Sequence, residues 1–117
     1  DHSYDVVCAF SITKWVHLAH GDEGLLRLFR SAHARLRRGG RFVLEPQPWR
    51  SYRKAVGRDA GGAVARAHFE AIRVRPDQFE RVLLSAEVGF SSVERLGTPR
   101  GDGLAQGFQR PMFSFVK

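Results

Sequence analysis

Two short stretches hold most of the residues whose types and spacing could do chemistry. One is Glu45-Pro46-Gln47-Pro48-Trp49, which sets a carboxylate, an amide and an indole between two prolines. Proline fixes φ and cannot donate to a sheet ladder, so the preceding strand, Arg41 to Glu45, must end there and hand its polar groups to a stiff loop. The other is Ser11-Ile12-Thr13-Lys14-Trp15, which follows the apolar run Tyr4 to Phe10. Ligands of open α/β sheets bind at the carboxyl ends of strands, so each stretch reads as one wall of a site. Lys14, between Thr13 and Trp15, is either a cation for an anionic ligand or a solvated loop lysine.

Other candidate chemistry is weaker. His17 and His20 lack the cysteines or clustered carboxylates of a metal site, so no metal is expected. Gly61-Gly62 follows no strand and lacks the Lys-Ser/Thr continuation of a phosphate loop. Cys8, inside an apolar strand, reads as buried packing rather than as a nucleophile. Asp5 lies at the wrong end of its strand for catalysis.

The elements that must position these residues follow from the pattern. Tyr4 to Phe10 (YDVVCAF) is a near-continuous run of strand formers, which suits a central parallel strand covered on both faces. Gly21-Asp22-Glu23 opens a helix with Asp22 as N-cap. Leu25, Leu26, Phe29, Ala32 and Leu36 recur at helical spacing along it, and Gly39 or Gly40 supplies the left-handed stop. With the strand Arg41 to Glu45, this makes a right-handed parallel crossover. A flexible basic segment follows, with a helix around Ala63 to Glu70. Pro76 starts another helix, about Asp77 to Ala86. Phe90 to Thr98 and Phe108 to Val116 read as strands, joined by a glycine-rich loop. Two consecutive strands at the end imply an otherwise parallel sheet with one antiparallel member, an α/β architecture.

Composition bounds the rest. The 117 residues make one domain at most, and a 43% hydrophobic content with thirteen aromatics (nine Phe, two Trp, two Tyr) supplies a core. One cysteine excludes an internal disulfide framework and suits a reducing compartment. No signal-like or membrane-spanning apolar run is present, so a soluble chain is expected, and the start at Asp1 suits a piece of a longer protein. The net charge of +7 points to a polyanionic partner, nucleic acid first, or else to a solvated arginine-rich surface. The arginines cluster: six fall between Arg27 and Arg41 with no acid among them, and Arg50, Arg53, Lys54 and Arg58 follow the Pro/Trp loop.

The strings FSITKWVHL (Phe10 to Leu18), GDEGLLRLF (Gly21 to Phe29), VLEPQPW (Val43 to Trp49), VGFSS (Val88 to Ser92) and GFQRP (Gly107 to Pro111) occur in this order. Together they closely resemble the bicoid-interacting-protein family of RNA 5′-end methyltransferases. The resemblance spans nearly the whole chain and fails mainly over Ala55 to Ala67. It implies the second half of the Rossmann-like, seven-stranded, mostly parallel class I methyltransferase sheet, with the chain as the carboxyl-terminal part of one catalytic domain. It further implies transfer of a methyl from S-adenosylmethionine to a terminal phosphate oxygen of RNA, a small non-coding RNA above all. A nuclear or cytoplasmic enzyme is expected, with no membrane partner.

By position in the family pattern, Phe10 lines the cofactor with Ala9 and Ser11 as neighbours, although a core Phe would look the same. Lys14 and Arg110 are the cations for the phosphate, and Gln109 and Thr13 add hydrogen bonds. Glu45 either orients one of those cations, bonds the first nucleotide with Gln47 nearby, or forms a structural pair. Trp49, Trp15 and Phe108 offer flat surfaces for a base, or plain packing. The family's Gly-x-Gly turn and ribose-binding acid are not found in these residues, so the cofactor's main cradle is expected elsewhere. The reading from a different class is a catalytically inactive, basic RNA-binding module of the same fold.

Overall fold

The computed structural model describes residues 3–96 and 111–117. Strand β1 (Tyr4–Phe10) leads into helix α1 (Thr13–Arg35) and strand β2 (Leu36–Glu45). Two helices follow, α2 (Trp49–Gly57) and α3 (Gly62–Ala71). A single 3-10 turn at Pro76–Gln78 introduces α4 (Phe79–Leu84), and β3 (Ser92–Arg95) and β4 (Phe113–Val116) close the chain. The described strands form one mixed sheet in the order β1-β2-β4-β3. β1 and β2 are parallel, while β4 runs antiparallel to both β2 and β3. The expected parallel crossover and antiparallel closing strand are therefore present.

The core lies on one face of the sheet. Ala9, Phe42, Leu44 and Phe115 point to it and meet Leu25 and Phe29 of α1 and Phe79 and Leu83 of α4. Phe29 sits at the centre, its ring edge-to-face with Phe79 at 5.4 Å and with Phe42 at 6.1 Å. A second, smaller core joins Leu18 of α1 to Tyr52 and Ala55 of α2, Ala65 of α3 and Ile72. It carries α2 and α3 on the first turns of α1, beside the carboxyl ends of β1 and β2.

Several expectations are corrected. β1 is not covered on both faces: it lies at one margin of the described sheet, and its outward residues Tyr4, Val6 and Phe10 are 51%, 52% and 48% exposed. Cys8 shares that face and is exposed rather than packed. Apolarity marked a strand made for two covers, and only one is supplied by the described residues. α1 begins at Thr13 and runs through a kink at Gly21 (φ 72°), so Thr13 to Trp15 form its first turn rather than a loop. The basic segment after Trp49 is helical, because Trp49, Tyr52, Ala55 and Val56 make an inner stripe that packs on α1 and α3. α1 ends at Arg35, and the left-handed Gly39 (φ 83°) lies within β2. There the register with β1 slips, between Tyr4↔Leu36 and Val6↔Arg41. A Cβ on Gly40 would lie 2.9 Å from the Arg37 carbonyl oxygen and 3.0 Å from that of Asp5, so a side chain has no room. Among the described residues no helix is long and apolar enough to cross a membrane.

Candidate active site

Parallel pairing brings Phe10 opposite Glu45, so β1 and β2 end side by side. Whatever follows the two ends must then share one margin of the sheet. Ser11 takes a left-handed backbone (φ 59°), uncommon for a residue with a side chain and concentrated where chains turn into functional sites. The chain then enters α1, while Pro46 and Pro48 steer the β2 exit into α2.

Four side-chain hydrogen bonds stitch these exits together. Ser11 Oγ donates to Glu45 Oε1 at 2.7 Å. Thr13 Oγ1 donates to Gln47 Oε1 at 3.0 Å, an oxygen that also accepts from the Lys14 backbone N–H at 3.1 Å. Lys14 Nζ donates to Ser51 Oγ at 2.8 Å. His17 Nδ1 meets Tyr52 Oη at 2.7 Å. The first partners are 34 to 37 positions before the second ones in sequence, so the seam exists only after the parallel crossover has formed.

The seam sorts the expected site residues. Ser11 with Glu45, and Lys14 with Trp15, form two pairs at its more accessible end. The Lys14 ammonium lies 4.4 Å from the Trp15 ring centroid, and Trp15 is 46% exposed. Phe10 and Ile12 add exposed apolar surface next to them. Thr13 and Gln47 are instead enclosed, at 0% and 2% exposure, and the Gln47 oxygen is shared between the Thr13 hydroxyl and the Lys14 backbone N–H. They shape the loops from within and do not present those groups to a ligand. Ala9 is 2% exposed with its side chain in the core, so only its backbone borders the strand end. Trp49 stacks on Phe69 at 4.8 Å with 10° between planes and carries the Arg75 guanidinium 4.3 Å from its centroid, which commits it to the α2–α3 packing. Phe108, Gln109 and Arg110 lie outside the described residues.

Three contributors were not foreseen. Ser51 and Tyr52 sit in the segment read as flexible, and His17 was weighed only as a metal ligand. The spacing of Lys14 and His17, three apart, and of Tyr52 and Ala55 would have revealed two facing helices had α1 been started at Thr13. Asp22, read as an N-cap, instead holds His17 Nε2 at 2.7 Å through Oδ1 and takes the backbone N–H groups of Arg73 and Val74 on Oδ2, at 2.8 and 3.3 Å. Burial lowers the His17 pKa despite the neighbouring Asp22 charge, which favours the imidazolium, so the ring is neutral at pH 7. Burial, helped by the Asp22 charge, raises the Tyr52 pKa, and the phenol stays protonated. Among the described residues no group of three or more His, Cys, Asp or Glu side chains is placed to hold a metal. On the solvent side of α2, which has no acidic residue, Arg50, Arg53 and Lys54 are exposed, as is Arg58 just past its end.

A mixed α/β sheet with polar-aromatic loops at the carboxyl ends of its parallel strands is consistent with a class I methyltransferase fold. The chain belongs to the Bicoid-interacting protein 3 (Bin3) family, whose profile matches residues 4–117. It is similar to the 7SK snRNA methylphosphate capping enzyme of Mus musculus, 50% identical over 114 residues, which is 97% of this chain and 16% of that protein. The U6 snRNA methylphosphate capping enzyme Amus of Drosophila melanogaster is 40% identical over 97% of this chain and 36% of its own length. The RNA 5′-monophosphate methyltransferase of Mus musculus is 32% identical over 68% of this chain and 27% of its own. The chain thus spans between about a sixth and just over a third of these relatives.

Proposed function

We propose that this chain forms the acceptor side of an S-adenosylmethionine-dependent O-methyltransferase acting on the 5′-terminal phosphate of RNA. The observation that carries the reading is Lys14, drawn to the shared margin of two parallel strand ends by Ser51 and flanked there by exposed aromatic and apolar surface. The names of the three relatives point to the same acceptor.

A phosphate oxygen is already anionic at neutral pH, so no base need remove a proton before it attacks. The protein's task is to hold the acceptor in line and offset its charge. Lys14 is the cation for this, with Arg110 as its partner from the closing segment. Trp15 offers a face to the first base, and Glu45, bonded by Ser11, adds a carboxylate at the end of β2 that can accept from the first nucleotide. S-adenosylmethionine, when bound, supplies an electrophilic methyl on a sulfonium. Phe10, Ile12 and Ser11 fit one flank of that cofactor: two apolar side chains stand exposed beside a backbone turned outward by its positive φ. We place β1 to β4 in the second half of a seven-stranded sheet. The unshared margin of β1 and its exposed Tyr4, Val6 and Phe10 support further strands and helices there, supplied by a preceding segment that also holds the cofactor.

The test uses the full-length protein with 5′-phosphorylated RNA and labelled cofactor. Lys14→Ala and Arg110→Ala are each expected to lower transfer about 100-fold, the usual cost of losing one charge-stabilising donor. RNA retention by the wild type without any transfer would sink the enzyme reading in favour of an inactive RNA-binding module.

A further inference from the structure

We propose that Asp22, His17 and Tyr52 form a positioning device that holds α2 in rotation and so aims Lys14. The inference rests on the reading of Lys14 above and extends it to three residues that touch neither RNA nor cofactor.

The Asp22 carboxylate only accepts, so His17 Nε2 carries the proton and donates to it at 2.7 Å. A neutral imidazole then has an acceptor at Nδ1, and Tyr52 O–H must donate to it at 2.7 Å. The chain of donors runs one way, Tyr52 to His17 to Asp22, and ends on a carboxylate whose other oxygen is pinned by the backbone of Arg73 and Val74. His17 and Tyr52 are 0% exposed, so no water competes for these bonds. Among the described residues no buried side-chain nitrogen or oxygen lacks a partner.

Apolar side chains would suffice to keep α1 and α2 in contact. A one-way chain of hydrogen bonds fixes the angle of α2 about its own axis as well, because Tyr52 can donate along one line only. Ser51 precedes Tyr52 on that helix, and His17 follows Lys14 by three positions on α1. The same rotation therefore decides where Ser51 Oγ meets Lys14 Nζ, at 2.8 Å. A lysine ammonium on four rotatable bonds is a poor electrostatic catalyst until something selects its rotamer, and the Ser51 hydroxyl contributes to that here together with the Trp15 ring.

The test is a double-mutant cycle in the full-length protein, reading kcat and KM for 5′-phosphorylated RNA together with the melting midpoint. Tyr52→Phe keeps the ring and removes the donor; Ser51→Ala removes the contact to Lys14. Each is expected to lower kcat about tenfold, and the double variant to be no slower than the slower single, because both act through one ammonium. Ser51→Thr, which keeps the hydroxyl, is expected to retain most of the rate. If Tyr52→Phe does not accumulate, Asp22→Asn replaces it in the same cycle. Multiplying effects, or a lowered melting midpoint with kcat unchanged, would overturn the proposal and leave the cluster as packing alone. A wild type that transfers no methyl defeats the functional reading itself, whereas an active wild type with independent effects defeats only the positioning role.

Discussion

His17 shows how a single buried ring couples proton binding to folding. Its pKa is lowered in the folded chain, with Asp22, Tyr52 and His68 as the titratable groups facing it. The unfolded chain therefore binds a proton at His17 more readily than the folded one. The sign follows: this contribution to stability is complete above the ordinary histidine pKa of 6.5 and is lost as pH falls below it toward the folded value. Chemical denaturation of the 117-residue chain between pH 7.5 and 5 should show falling stability, and His17→Gln should flatten that slope. An identical slope in the variant would place the proton elsewhere. Thr13 and Gln47 teach a related point. They have the polar character of ligand-binding residues, yet behind the surface the Gln47 oxygen takes the Thr13 hydroxyl and the Lys14 backbone N–H.

Helices and strands divide the work between support and aim. α1 does both, with Phe29 rooting it in the sheet and Lys14 and His17 facing α2 from its first turns. Phe29 is 0% exposed among Phe42 and Phe79, so Phe29→Ala should cost about 3–5 kcal/mol in denaturant unfolding. A loss under about 1 kcal/mol would mean that the core can close over the gap. α2 and α3 lean on α1 through the small second core and share no strand with the sheet. Their orientation therefore depends on side-chain bonds such as Tyr52–His17 more than on backbone ladders, as does that of the exposed cations on α2.

The assembled sheet is asymmetric: one face is packed by α1 and α4, and the other leaves Tyr4, Val6, Cys8 and Phe10 accessible at its margin. Apolar strand surface of this kind is stable when another element covers it. With the principal cofactor cradle proposed to lie in a preceding segment, the 117 residues alone are expected to bind S-adenosylmethionine at millimolar affinity or worse in calorimetry. Micromolar binding by this chain would refute the placement of the principal cofactor cradle in a preceding segment.

Sequence alone determined the crossover, the closing strands and the places where chemistry could sit. Those features are written locally: an apolar run for β1, helical spacing from Leu25 to Leu36, and prolines that end β2 after Glu45. The family, too, was legible from five short strings in register. Which polar residues face a ligand and which face each other was decided only by tertiary structure. Lys14 and Ser51, or His17 and Tyr52, are more than thirty positions apart and become partners through the parallel pairing of β1 with β2. No local pattern encodes that distance. The start of α1 at Thr13 and the helicity of α2 were hidden for the same reason: neither helix start carries a side-chain cap, and the first turns of α1 and the whole of α2 are held by side-chain contacts with other elements.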